Sequence, residues 1–293
     1  MTLFFHPPPL ALERQVATMS QLQEKLSDRD LAFAVETVFP QREDKPRLMT
    51  LLREDADILD QVLNSDRLYE RFAADPEILV QVSPRLLFAV LLRQAAEDLQ
   101  TAAYTIEHEH QQRIPVFDAD RVADFLQETE FCDYLADMLA TFTKIQTYSL
   151  AIRVRQGVWH RLRFNDMDID GLIRYAQALE EPQRFACYKR IADVCLFLAG
   201  LFPEHAYGQA RYPLSGQIRP RWFRGQQRRT LDEYQREGER FYKMAAQHEA
   251  AVIIRLGEVL EQLSRHFLEA QKSLSYLAQR YLWFDKRQFF GAG

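Results

Sequence analysis

The sequence predicts a predominantly all-α protein, an irregular multi-helix bundle with one small β-hairpin inserted in it. Three observations predict this. Apolar residues recur at intervals of three and four, as in Leu86, Leu87, Val90, Leu91, Ala95 and Leu99. Serine, aspartate and proline stand at the starts of such runs, where a helix needs a cap or tolerates a missing N–H. Around Gly157 the spacing switches from helical to period two.

Taken in order, the first helix is expected after Pro7-Pro8-Pro9, from Leu10 to about Leu26. Ser27-Asp28 breaks and caps the chain before Leu31, Ala34, Val35 and Val38, and Pro40 closes that helix. Further helices are expected near Thr50 and from Asp66 to Phe72. Ser83-Pro84 opens a long one, with Glu97 and Asp98 beside its apolar stripe. Residues Asp120 to Tyr148 contain one or two helices, whose aromatics (Phe125, Phe131, Tyr134, Phe142 and Tyr148) suit packing between helices.

In the middle, Ile152 and Val154 alternate with Arg153 and Arg155. After Gln156-Gly157, the residues Val158, His160, Leu162 and Phe164 share one side, which is the hairpin. Asp166, Asp168 and Asp170 then read as caps and first-turn charges, because the stretch lacks the terminal glutamate of a calcium loop. A helix follows from Pro182 to Ala199. Toward the end, Phe267, Ala270, Leu274, Leu277, Tyr281 and Phe284 form one packing seam, with Lys272 and Gln279 off it. Residues 1–293 read as a single helical domain, with the break from Gly200 to Gly225 a long crossover. A subdivision near residues 200–225 is the alternative.

The composition suits a folded chain of 293 residues, 47% hydrophobic and 27% charged, and not a disordered one. A net charge of −5 argues against a globally basic nucleic-acid binder, although a local basic patch is compatible with it. Cys132, Cys187 and Cys195 match no disulfide framework or zinc spacing, so they read as buried thiols in a reducing compartment. Neither a secretory leader nor a long apolar run is apparent, and the expected location is cytoplasmic.

Two clusters carry chemistry. Glu107-His108-Glu109-His110 could supply metal ligands, Glu107 with His110 on a helix or His108 with His110 on a strand. A di-iron bundle needs two Glu-x-x-His motifs, and here the pattern occurs once. The cluster therefore reads as the polar end of a helix, with a divalent-metal site at Glu107, His108 and His110 as the alternative. No other cofactor is predicted. Ser83, Ser149 and Ser215 lack a nucleophile elbow, and Cys195 lies in an apolar run. Gly200 and Gly208 do not form a phosphate loop.

The second cluster is basic and aromatic. Arg211, Arg219, Arg221, Arg224, Arg228 and Arg229 occur without an intervening acid, interleaved with Tyr212, Trp222 and Phe223. Arginine forks bind phosphate and rings stack on bases, so Arg219 to Arg229 is a candidate anion- or partner-binding segment. Its plainer reading is a solvated connection pinned by Trp222 and Phe223. Arg153, Arg155, Arg161 and Arg163 would extend a basic face if the two regions converge.

The stretch YKRIADVCLFLAGLFPE, from Tyr188 to Glu204, resembles a motif of bacterial helical proteins of uncharacterised role. The likeness extends to Val82–Phe88 and Leu274–Leu282, while Ala192 stands where that motif favours glycine before aspartate. It implies a helical bacterial cytoplasmic protein and carries no catalytic residues with it. The functional expectation is a noncatalytic protein-interaction or regulatory protein, self-association included. The alternatives are a small-molecule enzyme with an interhelical pocket and a polyanion- or nucleic-acid-binding module.

Overall fold

The computed structural model describes residues 22–75, 78–109, 112–144, 147–155, 158–203, 229–282 and 290. Caps set the helix starts. After the single turn α1 (Leu22–Lys25), Ser27 opens α2 (Asp28–Val38) with a reciprocal box. Its hydroxyl accepts the Asp30 N–H at 3.2 Å while the Asp30 carboxylate accepts the Ser27 N–H at 2.9 Å. The other Asp30 oxygen accepts the Ser83 N–H at 2.7 Å, so one buried carboxylate ties the starts of two helices together. Between them lie α3 (Lys45–Glu54), α4 (Ala56–Leu63), α5 (Asp66–Ala74) and α6 (Ile78–Gln81). Ser83 caps α7 (Pro84–Thr101), and Pro84 occupies its first turn.

A hairpin of β1 (Thr105–Glu109) and β2 (Gln112–Val116) then leads into α8 (Ala119–Gln127) and α9 (Thr129–Thr141). The second hairpin, β3 (Thr147–Arg155) and β4 (Val158–Asn165), pairs Ile152 with His160 and Tyr148 with Phe164. Asp168 caps α10 (Ile169–Ala178), accepting the Gly171 N–H at 3.0 Å. A 3-10 turn at Glu181–Gln183 precedes α11 (Phe185–Leu201). The last third holds α12 (Leu231–Ala246), α13 (Glu249–Ile253), α14 (Gly257–Arg265) and α15 (Phe267–Arg280).

Every residue of α11 is buried. A helix enclosed on all sides must be apolar all round or satisfy its polar groups internally. The second course is the one α11 takes, its otherwise largely apolar surface carrying Lys189, Arg190 and Asp193 with partners inside the fold. It packs against α10, α12 and α15, while α7 packs against α8 and α9. Two glycines let α15 cross closely. A Cβ at Gly200 of α11 would lie 2.6 Å from the Leu274 Cβ, and one at Gly238 of α12 only 2.2 Å from the Phe267 ring. Phe267 and Leu274 are seven residues apart, on one face of α15.

The fold is the predominantly helical, irregular bundle with a small hairpin that the sequence predicts, and β3–β4 is that hairpin. The structure departs from the expected elements at three places. A second hairpin occupies residues 105–116, so Glu107-His108-Glu109 is strand and not a helix end. β-branched Thr105, Ile106, Ile114 and Val116 favour the extended form there. Tyr148 belongs to β3, since the preceding helix stops at Thr141. Pro182 sits in the 3-10 turn, leaving α11 to start at Phe185. The seam residues Phe267, Ala270, Leu274, Leu277 and Tyr281 are all buried. Leu10–Gln21 and Phe284 lie outside the described residues. Among the described residues, no helix is long and apolar enough to cross a membrane.

Candidate interaction site

The buried charged groups on and around α11 are paired with one another. On α11, the Asp193 carboxylate accepts from the Tyr134 hydroxyl at 2.6 Å, the Tyr242 hydroxyl at 2.9 Å and the Lys189 ammonium at 2.7 Å. Burial, followed by the Asp193 charge, pushes both phenols well above their ordinary pKa, so they stay protonated donors. Arg190 donates to the Asp166 carbonyl and carboxylate and to Thr141, and lies 3.9 Å over the Phe142 ring. Lys25 and Arg85 share Asp137, while Arg93 bridges Asp60 and Asp133. The cysteines follow the same pattern. All three are buried, and burial drives the Cys132 thiol up to about 12 and the Cys195 thiol well above its usual value.

A different arrangement anchors the first hairpin. Lys272 of α15 clamps both Glu107 of β1 and Asp118, the residue just before α8. Thr105 donates to the same Asp118 carboxylate at 2.5 Å. Burial alone would lower the Lys272 ammonium, but its two carboxylate partners outweigh that and raise it. Asp118 occupies the N-cap position of α8, yet its side chain makes no capping bond, because the carboxylate is spent on the clamp. One turn along α8, Arg121 pairs with Glu269 of α15.

Above this clamp stand Tyr104 and Phe117, which flank the hairpin at its base. Their rings meet edge to face with centroids 6.3 Å apart, and they are 47% and 81% exposed. Phe117 immediately precedes the N-cap, where an apolar residue ordinarily folds back onto the fourth helical position. That position is Val122, which is buried without it. Val252 and Ile253 of α13 are exposed too, but neighbours on a helix point about 100° apart and do not make one patch.

Of the residues singled out by sequence, Glu107 lies in β1 with its carboxylate on Lys272. His108 lies in β1 opposite Arg113. His110, Arg219, Arg221, Trp222, Phe223, Arg224 and Arg228 lie outside the described residues. Arg229 is described and largely enclosed, bound to Asp170 at 2.7 Å and Glu237 at 2.5 Å. These two carboxylates outweigh burial and raise its pKa. Among the described residues, no three or more His, Cys, Asp or Glu converge to hold a metal ion. Sequence reasoning missed Tyr104, Phe117 and the Lys272 clamp. The available signal was an aromatic at each end of a β-branched pair of segments.

No protein-family model matches the chain, and neither a curated protein nor a solved structure does.

Proposed function

We propose that this chain is a noncatalytic protein-interaction protein that docks a partner on the Tyr104–Phe117 pair. The observation that carries the reading is a solvent-facing aromatic pair held on a braced hairpin base, with Phe117 standing off the helix it would ordinarily staple. Large rings are the side chains that dominate interface energetics, and burying one contributes roughly 1.5–3 kcal/mol. The clamp of Lys272, Glu107 and Asp118 fixes the strands below the rings, so little chain freedom is lost when they are covered. Elsewhere in the described core, the acid–base groups with pKa values driven upward are enclosed among themselves, which suits structural work better than turnover.

A photoreactive phenylalanine placed at position 117 tests this, with exposed Arg236 as the control site. The expected result is a discrete crosslinked partner, or a crosslinked second copy, whose purified complex weakens about tenfold on Phe117→Ala. Crosslinking no greater than at the control site would overturn the proposal.

A further inference from the structure

A cleft of about 490 Å³ opens between the α8–α9 corner and the α14–α15 corner. Its apolar side is the Phe125–Phe131 stack, with centroids 4.7 Å apart and planes within 6°, faced by Val259. Its rim carries Asp124, Glu128, Glu130 and Glu258, all exposed. None of these four carboxylates makes a hydrogen bond or ion pair with another described residue. Arg121, the guanidinium of the lining, is already neutralised by Glu269. The cleft therefore presents an apolar floor within a net negative rim.

That combination narrows what can fill it. A purely apolar ligand would strip water from the rim carboxylates and give them nothing in return. A nucleic acid or anionic ligand would meet like charge. A bare metal ion needs converging oxygens, which the described residues do not provide, and would leave the phenylalanines uncovered. A peptide carrying cations on either side of an apolar side chain satisfies both features. The volume is that of a cleft taking a few side chains. Phe117 and Asp118 directly precede, in the chain, the helix that supplies Arg121, Asp124 and Phe125 to the cleft.

We propose that this cleft docks a basic peptide segment of the partner, with lysines or arginines on the four carboxylates and one apolar side chain on the Phe125–Phe131 stack. The inference rests on the interaction reading for the partner being a protein, and its test separates the two.

A displayed library of random dodecapeptides is panned against the immobilised full chain, against a triple variant Asp124→Lys, Glu128→Lys, Glu130→Lys, and against Phe117→Ala. All three replaced carboxylates are exposed, and thermal unfolding confirms that the variants are folded. Glu258→Lys on the opposite wall serves if the triple variant is not. The expected result is enrichment of peptides bearing two or more basic residues around Phe, Trp or Leu, lost on charge reversal. A synthetic copy of the most enriched peptide, followed by fluorescence anisotropy, should bind the reversed cleft at least about tenfold more weakly, and the unaltered cleft more weakly as salt rises. Enrichment of acidic or uncharged peptides, or equal retention by the reversed cleft, overturns the inference. Peptides lost with Phe117→Ala but kept by charge reversal overturn the cleft and leave the interaction reading standing. No enrichment on any bait overturns both.

Discussion

Replacing Asp193 with alanine should be among the most damaging single changes in this protein. Its carboxylate is the common acceptor for Lys189, Tyr134 and Tyr242, all buried. Removal leaves an ammonium enclosed without its counter-charge, which costs roughly 3–5 kcal/mol for a broken buried pair. Each phenol hydroxyl without an acceptor would add about 1–3 kcal/mol if it stayed dry. These costs do not sum, because the vacated space admits rearrangement. A total of about 4–7 kcal/mol is expected, a large share of the roughly 5–15 kcal/mol that holds a domain folded.

The charge part of this cost can be isolated. Lys189 lies 4.7 Å from the Tyr134 ring centroid, in a site where an unbranched apolar chain would pack. Asp193→Ala combined with Lys189→Met should therefore recover about 2–4 kcal/mol relative to Asp193→Ala alone, since the orphaned ammonium is gone. Tyr134→Phe, which leaves Asp193 with Lys189 and Tyr242, should cost only about 1 kcal/mol. Urea unfolding followed by circular dichroism measures all four proteins. Asp193→Ala within about 1 kcal/mol of the parent, or the double variant no more stable than Asp193→Ala, would refute the hub reading.

Gly238→Ala should cost about 1–3 kcal/mol, since its methyl meets the Phe267 ring, and Leu277→Ala about 2–5 kcal/mol; thermal unfolding measures both. Deleting Phe267 through Gly293 should abolish cooperative unfolding, because it removes the helix that closes against α11 and α12. The three cysteines should resist a thiol-specific reagent at pH 8 until the chain is unfolded, and rapid native labelling would contradict their burial. Burial works to raise Asp137, but Lys25 and Arg85 outweigh it and hold its pKa below the ordinary 3.8. Its stabilisation is therefore present above that value and lost as pH falls through the folded pKa. Asp137→Asn should flatten the acid limb of the stability profile below about pH 4 and leave its slope near neutrality unchanged.

How far the fold could be read from the sequence follows from the range of the forces. Caps act within four residues, so Ser27, Ser83 and Asp168 were legible, and the structure gives each a bonded backbone N–H. Periodicity over two turns exposed the α15 seam for the same reason. It failed at Lys272, placed off the seam yet buried, because its partners Glu107 and Asp118 lie more than 150 residues back in the chain. The first hairpin was hidden by that same pairing. A strand reading Thr-Ile-Glu-His-Glu has no apolar face of its own, and it is held to α15 by charge. The charged triplet of α11 was equally opaque. Lys189, Arg190 and Asp193 look like a solvated stripe until tyrosines from α9 and α12 close over Lys189 and Asp193, and Asp166, Thr141 and Phe142 enclose Arg190.

The aromatic pair was hidden by a rule that usually holds. An apolar residue just before an N-cap predicts a staple, and a staple predicts burial, so nothing in the local sequence marks Phe117 as exposed. What breaks the rule is Asp118. Its carboxylate serves Thr105 and Lys272 in place of the α8 backbone, and the chain enters the helix without the capping bond that accompanies the staple geometry. The clamp that braces the hairpin is thus also what leaves the ring outside, and the two features should fail together. Lys272→Met removes the ammonium while keeping the stem, and frees Asp118 to cap α8. Phe117 should then fold toward Val122 and lose solvent exposure, read as slower photolabelling of a probe phenylalanine at that position. Labelling unchanged in Lys272→Met would mean that the ring's orientation is set by the hairpin alone.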